Sequence, residues 1–534
     1  MRRVGCFALI VFEITLLSAL ILATRCANYQ DVFVAGNVYF ADADCYARMT
    51  RARLVREKPG VIIRHHEFEN FPQGTTPHTT APLDYLIVAL SLLLNPFTAH
   101  ALDLAGAFVS PLLALLGAWF LWWWSRQMKF RYRWVMLILY SISPILVHGT
   151  ELGRPDHQSL LILLIAIAIC AGWGSQTLPA TNMASAWWLT SAAAWALAIW
   201  VSAYEPLILF LIVMATALVL NRRGAFARDR RAGWILFAAI IAIALAIERR
   251  VPSFAILQST GHFNNWARTI GELAHVSPLN PVWLNWCGYL VLITPILIWM
   301  AVRTRRNGAP SPRRAGCGRA LPIYVLLVAT YFLTVWQARW GYFFVLIFAL
   351  ALPALLAPIK SGAAVWIAVA LSIFPILRDW DERLWPNEAQ LVERIERRIE
   401  SAQIHNLSLS LRSPEVHPFL APWWLSPSIA YWSGQPGVAG SSHESLSGIE
   451  DSARFFLSEN LQEARAILAK RHVAWVFAYD SDRVAQNSAA ILNEPVPRES
   501  LCRVLDRTPS QAPRFLVFSA QTSACKLYRV AVER

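Results

Sequence analysis

Eleven apolar runs decide what this chain can become. They lie near residues 7–23, 101–124, 134–150, 158–173, 186–204, 206–220, 232–247, 283–302, 321–337, 341–357 and 362–377. Crossing the hydrocarbon core takes roughly 20 apolar residues in a helix, because no water is present there to bond a free amide. The series predicts a polytopic α-helical membrane protein of about eleven transmembrane helices. Composition agrees: 56% of the 534 residues are hydrophobic and 15% charged, against about 25% charged in soluble domains. The first run follows Met-Arg-Arg, and Ala-Thr-Arg-Cys-Ala lies just beyond it, so a cleaved signal peptide competes with a span. The many spans that follow favour a retained helix.

The connections carry the topology. Residues 125–133 (SRQMKFRYR), 221–231 (NRRGAFARDRR) and 303–319 (RTRRNGAPSPRRAGCGR) are strongly basic, which places them in the cytoplasm. Pro82–Pro96 is apolar but short for a span, and reads as a helix that lies at the interface or re-enters. With it excluded, the three basic loops fall inside and the acidic stretches near 44, 156 and 272 all fall outside. A net charge of +14 follows from this retention of Lys and Arg, and calls for no nucleic-acid partner.

The domain reading is a transmembrane domain over 1–377, with a first external loop at 24–100 and a late one at 248–282. Residues 378–534 carry charge throughout and lack a long apolar run, which predicts a soluble α/β domain outside a cytoplasmic (inner) membrane. Asn387–Ile404 and Glu450–Arg471 have helical periodicity, and His472–Tyr479 reads as a buried strand. Cys502 and Cys525 are candidates for a disulfide in an oxidising compartment.

Four stretches on the outer side could carry chemistry. Asp42 and Asp44 precede the helix-like run Cys45–Arg56, where either could act as a helix N-cap or as a ligand. Gly153-Arg154-Pro155-Asp156-His157-Gln158 puts an ionisable cluster at a helix mouth, an expensive placement that points to function, although Asp156 could also cap the following span. Glu272 lies in the late loop, and Arg339 sits between Trp336 and Trp340 at the outer surface. Arg339 could snorkel beside interfacial Trp or bind phosphate in bidentate fashion. Carboxylates arriving from separate loops on one side suit a hard divalent cation, Mg²⁺ or Mn²⁺.

In order and in side, these stretches resemble the motifs of the oligosaccharyltransferase catalytic subunit in its single-subunit bacterial and archaeal form. The resemblance implies a GT-C fold and transfer of a glycan from a polyprenyl-diphosphate carrier to an acceptor Asn. Asp44, two residues before Tyr46, matches the first acidic motif, and Asp156 the constant acid of the second, with Gln158 where the family has another acid. Thr269-Ile270-Gly271-Glu272 matches the bacterial Thr-Ile-x-Glu pattern, and Arg339 the Arg near the carrier diphosphate. The implied metal set is Asp44, Asp156 and Glu272 with Gln158. Arg339, His157, Trp423 and Trp424 would bind substrate, and Pro72–Ala81 and the Trp pair would shape the acceptor side.

The tail departs from the family pattern. Its sequon-reading Trp-Trp-Asp-Tyr-Gly is here Trp423-Trp424-Leu425-Ser426-Pro427, and Leu cannot accept a bond from a sequon hydroxyl. A GT-C transferase acting on a lipid or surface polysaccharide is therefore the alternative, and Gln158 with Leu425 also suits a non-catalytic homologue. A flippase would be expected to show internal repeats, and no clear repeat is present.

Overall fold

The computed structural model describes residues 2–177, 182–250, 261–306 and 320–531. Seven described helices are long and apolar enough to cross a membrane, among them Phe7–Arg25, Ala101–Gln127, His157–Thr177 and Gly362–Leu384. Four shorter apolar helices, Arg133–Ile142, Tyr204–Leu220, Leu290–Thr304 and Leu321–Trp336, complete the correspondence with the apolar runs. The protein is a multi-pass membrane protein. Ala338–Leu356 is the hub: 94% of its apolar window is buried, as befits a helix hydrophobic on every side. The run at 134–150 is broken into Arg133–Ile142 and Pro144–His148 because Ser143 is extended ahead of Pro144. The Trp380 indole donates to the freed Ile142 carbonyl at 2.7 Å, and the Ser143 hydroxyl donates to Trp286 O at 2.7 Å.

Polar contacts tie the connections together at each end of the bundle. At one end Arg126 and Arg133 pair with Glu13, and Arg131 donates to Lys360 O at 3.3 Å. At the other, Arg25 closes the first span and donates to the Thr150 hydroxyl at 3.1 Å, which brings the Asp156 turn beside the first external loop. Much of the basic connection 303–319 and part of the late loop 248–282 (residues 307–319 and 251–260) lie outside the described residues.

Within the first external loop, Ala43–Glu57 forms a mostly buried helix. Arg48 and Arg51 on it reach Asp84 at 2.8 and 3.7 Å, and Arg56 reaches Asn95 at 2.9 Å. Asp84 and Asn95 lie at opposite ends of the Pro82–Leu94 helix. Both ends are thus tied to one loop helix, and 13 residues rise only about 20 Å, so Pro82–Leu94 stays at this end of the bundle.

The tail opens with the Glu388–Leu409 helix, started by a capping box between Asn387 and Gln390. A four-stranded mixed sheet follows, in the order Phe419–Leu420, Trp475–Tyr479, Cys525–Val530, Leu516–Gln521. The first pair is parallel and the others antiparallel. The periodicity at 450–471 resolves into two helices, Leu446–Leu457 and Leu461–Lys470, because the Asn460 side chain caps a new helix through the amides of Gln462 and Glu463. Cys502 and Cys525 are buried separate thiols, with no disulfide between them. The tail also closes over the first loop: buried Arg471 pairs with Asp451 at 2.7 Å and donates to Asn70 Oδ1 at 3.1 Å. Tyr39, Phe40 and Tyr46 share one apolar core with Tyr431, Trp432 and Phe455.

Candidate functional site

The first question is which acid caps the loop helix. The helix starts at Ala43, two residues before the Cys45 start read from the sequence, and Asp42 is its N-cap. Asp42 Oδ1 accepts from the Cys45 amide at 3.0 Å while Oδ2 pairs with Arg154 at 2.5 Å. Asp44 is released from capping and is exposed to solvent. The surrounding protein, then the charges of Asp42 and Asp156, push its carboxyl well above the usual range, and a hydrogen bond from Ser441 of the tail pulls it partly back.

Asp156 stands immediately before the His157–Thr177 helix. Its Oδ1 accepts from the His157 amide and faces His157 Nδ1, both at 2.6 Å. Burial alone would raise this carboxyl, but His157 outweighs burial and holds it well below the usual carboxylate range. Glu272 arrives from the one-turn helix Gly271–Leu273 and accepts from the Tyr342 hydroxyl at 3.0 Å. Burial and the charges of Asp156 and Asp42 raise its carboxyl, with Arg339 opposing.

A hydrogen-bonded chain joins Glu272 to the capping residue Asp42. The Tyr342 hydroxyl lies 2.8 Å from His148 Nδ1, and His148 Nε2 lies 3.1 Å from Arg154. Arg154 can only donate, so Nε2 accepts and the proton resides on Nδ1. Glu272, Tyr342, His148, Arg154 and Asp42 therefore form one continuous relay of contacts.

Arg339 has a partner that the sequence reading missed. It pairs at 2.5 Å with Glu205, which is fully buried at the start of the Tyr204–Ala225 helix. Gln158 donates to the same carboxylate at 3.4 Å and Ser202 at 3.2 Å, while Gln158 Oε1 has no partner. A carboxylate at the junction of the apolar runs 186–204 and 206–220 was the available signal.

Two cavities flank these residues. One, with about 500 Å³ of open space, is lined by Tyr39, Asp42, Tyr46, Trp424, Leu425 and Trp432, with Arg383, Arg394, Arg397 and Arg398 at its rim. Trp424 lines it with its indole N–H unpartnered, whereas Trp423 turns away to donate to Asn487 at 2.9 Å and packs on Trp266. The other holds about 520 Å³ and joins a polar mouth (Thr75, His78, Glu248, Arg250) to an apolar floor (Ile199, Trp200, Leu207, Ile241, Leu245). Residues 74–78 and Thr80 line this second cavity, and neither Trp423 nor Trp424 does.

Asp44, Asp156 and Glu272 thus share one electrostatic neighbourhood. Among the described residues, their oxygens do not close as a set to within 4.8 Å of one another. Like charges brought together in this way are relieved either by protonation or by a bound cation, so the three carboxylates are compatible with a metal ion.

No family model matches the chain. The dolichyl-phosphooligosaccharide-protein glycotransferase 1 of Archaeoglobus fulgidus is 25% identical over 169 residues, 31% of this chain and 26% of that protein. The aligned part is thus about a quarter of that relative's length. The archaeal oligosaccharyltransferase AglB from Archaeoglobus fulgidus, in complex with an inhibitory peptide and a dolichol-phosphate, superposes with a TM-score of 0.66 at 14% identity, over 90% of this chain and 70% of that one. A structure of the Archaeoglobus fulgidus oligosaccharyltransferase with Zn and sulfate gives 0.65 at 13% identity, over 97% and 73%. ArnT from Cupriavidus metallidurans, bound to undecaprenyl phosphate, gives 0.59 at 12% identity, over 98% of each chain. The chain has the GT-C fold of these membrane glycosyltransferases.

Proposed function

We propose that this protein is a membrane glycosyltransferase that moves a glycan from a polyprenyl-(di)phosphate carrier to an acceptor at the acidic end of the bundle, outside the cytoplasmic membrane. The observation that carries this reading is the convergence of Asp44, Asp156 and Glu272 from three separate connections, with Arg339 nearby. The similar structures that hold dolichol-phosphate, undecaprenyl phosphate, or Zn and sulfate support a phosphate carrier and a cation.

Asp44, Asp156 and Glu272, with the unpartnered Gln158 Oε1 as a further candidate ligand, would hold Mg²⁺ or Mn²⁺. Such a cation, when bound, neutralises charge developing on the phosphate leaving group. The protein does the rest. His157 fixes the Asp156 carboxylate, Tyr342 orients Glu272, and Asp44 is placed to accept a hydrogen bond from the acceptor nucleophile. Arg339 contributes phosphate binding from its buried pair with Glu205. The second cavity suits the carrier, because its polar mouth meets a phosphate group and its apolar floor an isoprenoid chain.

The acceptor is better described as anionic than as an Asn sequon. Leu425 lines the first cavity where a hydrogen-bond acceptor would be needed, and Arg383, Arg394, Arg397 and Arg398 outnumber the Asp31, Asp42 and Glu151 carboxylates in the same lining, although Arg383, Arg397 and Arg398 already pair with Asp379, Glu393 and Asp31. A lipid or surface polysaccharide bearing negative charge fits that chemistry. Offering a lipid-linked glycan with a sequon peptide, an anionic glycolipid and a neutral glycan in separate reactions tests this. Product on the anionic acceptor is expected. Product on the peptide alone would overturn the acceptor assignment, and no turnover with any acceptor would favour a non-catalytic homologue.

A further inference from the structure

Away from the three carboxylates, His78, His443 and Glu444 present ligand atoms that all lie within 4.8 Å of one another. His78 comes from the first external loop, and His443 and Glu444 from the one-turn helix that precedes Leu446–Leu457 in the tail. Both imidazoles converge on one oxygen: Glu444 Oε1 is 3.0 Å from His78 Nδ1 and 3.4 Å from His443 Nε2. Neighbouring ligands of a tetrahedral zinc with bonds of about 2.0–2.1 Å stand roughly 3.4 Å apart, a spacing this cluster approaches while His78 and Glu444 are hydrogen-bonded to each other.

Hydrogen bonding leaves the cluster incomplete. The buried atoms His443 Nε2 and Glu444 Oε2 have no hydrogen-bond partner. The Glu444 side chain is only 9% exposed. An unpartnered buried polar atom costs about 1–3 kcal/mol, and here two of them belong to one group of metal-ligating side chains. His78 and Glu444 also line the second cavity, which leaves a fourth position accessible from that side.

We propose that His78, His443 and Glu444 form a site for a transition-metal dication of the Zn²⁺ class, with its fourth position filled from the cavity by water or an anionic oxygen. Two imidazoles and one carboxylate with an open position is a zinc donor set, softer than the all-oxygen sets that suit Mg²⁺ or Mn²⁺. The metal would join the tail to the first loop at the cavity mouth. The His157 ring, which holds Asp156, stands 6.2 Å from that of His78, so the site adjoins the three carboxylates without sharing a ligand with them. It stands independently of the transferase reading.

The test uses the full-length protein in detergent, stripped with a chelator, given Zn²⁺ alone and passed through gel filtration. Wild type should retain a tightly held equivalent that His443→Gln and Glu444→Gln each lose, with affinity down at least about tenfold, while Asp44→Asn keeps it. Retention undiminished by both Gln variants, or no retention by wild type, overturns the site. Zn²⁺ should also raise the thermal midpoint of wild type and not of His443→Gln; equal shifts overturn it. Should the variants fail to fold, the Co²⁺ form of wild type decides. Intense four-coordinate bands with imidazole scattering in X-ray absorption support the site, and only weak octahedral bands overturn it. Each readout is independent of glycan transfer.

Discussion

Two carboxylates two residues apart have opposite jobs, and substitution should separate them. Asp42 caps the loop helix and pairs with Arg154, whose side chain is 9% exposed. Losing the cap costs about 1 kcal/mol. Losing a charged hydrogen bond costs about 1.5–3 kcal/mol, and the lower end applies because the Asp42 side chain is 39% exposed to screening water. Asp42→Ala should therefore destabilise by about 2.5 kcal/mol, and Asp42→Ser, which keeps a capping oxygen, by about 1.5 kcal/mol. Unfolding midpoints in detergent should fall in the order wild type, Ser, Ala, while transfer per folded molecule stays within about tenfold, because neither change touches the reacting groups. Asp44→Asn should do the reverse: transfer falls at least about 100-fold and the midpoint holds or rises. An unchanged midpoint in Asp42→Ala would refute the cap assignment. A midpoint in Asp44→Asn as low as that of Asp42→Ala would refute the division of roles.

The Asp44 carboxyl is raised in the folded protein, so between its unfolded and folded values the unfolded chain binds fewer protons and stability falls as pH rises. Midpoints of the metal-free protein measured upward from pH 4 should show this slope, and Asp44→Asn should flatten it. Glu205→Ala leaves Arg339, whose side chain is 21% exposed, without this partner, a loss toward the low end of about 3–5 kcal/mol; Glu205→Ala with Arg339→Leu should regain much of it by the same denaturation measurement. Tyr342→Phe removes the hydroxyl between Glu272 and His148 and should lower kcat about 10-fold with KM nearly unchanged.

The spans were legible because backbone desolvation in lipid forces a long helix. Asp44 and Glu272 were legible as motif residues. The helix start was read two residues late and the cap was left open between Asp42 and Asp44, which are equivalent in composition; only the extended backbone at Asp42 distinguishes them. Glu205, Ser441 and His78 were not found. Each acquires its role from a partner far along the chain: Glu205 from Arg339, Ser441 from Asp44, and His78 from Glu444. Local periodicity carries no trace of such pairings. The division of the Trp pair, one ring lining a cavity and the other packed on Trp266, likewise depends on the tail closing over the loops.

The central claim is that carboxylates from three connections together hold a cation for transfer from a lipid-linked donor. Initial transfer rates from a polyprenyl-linked glycan, titrated with Mn²⁺ after chelation, test it most directly. Wild type should be silent in chelator and saturate with Mn²⁺, and Asp44→Ala and Glu272→Ala should each stay near background at every Mn²⁺ concentration. Transfer and Mn²⁺ dependence intact in either variant would contradict the account.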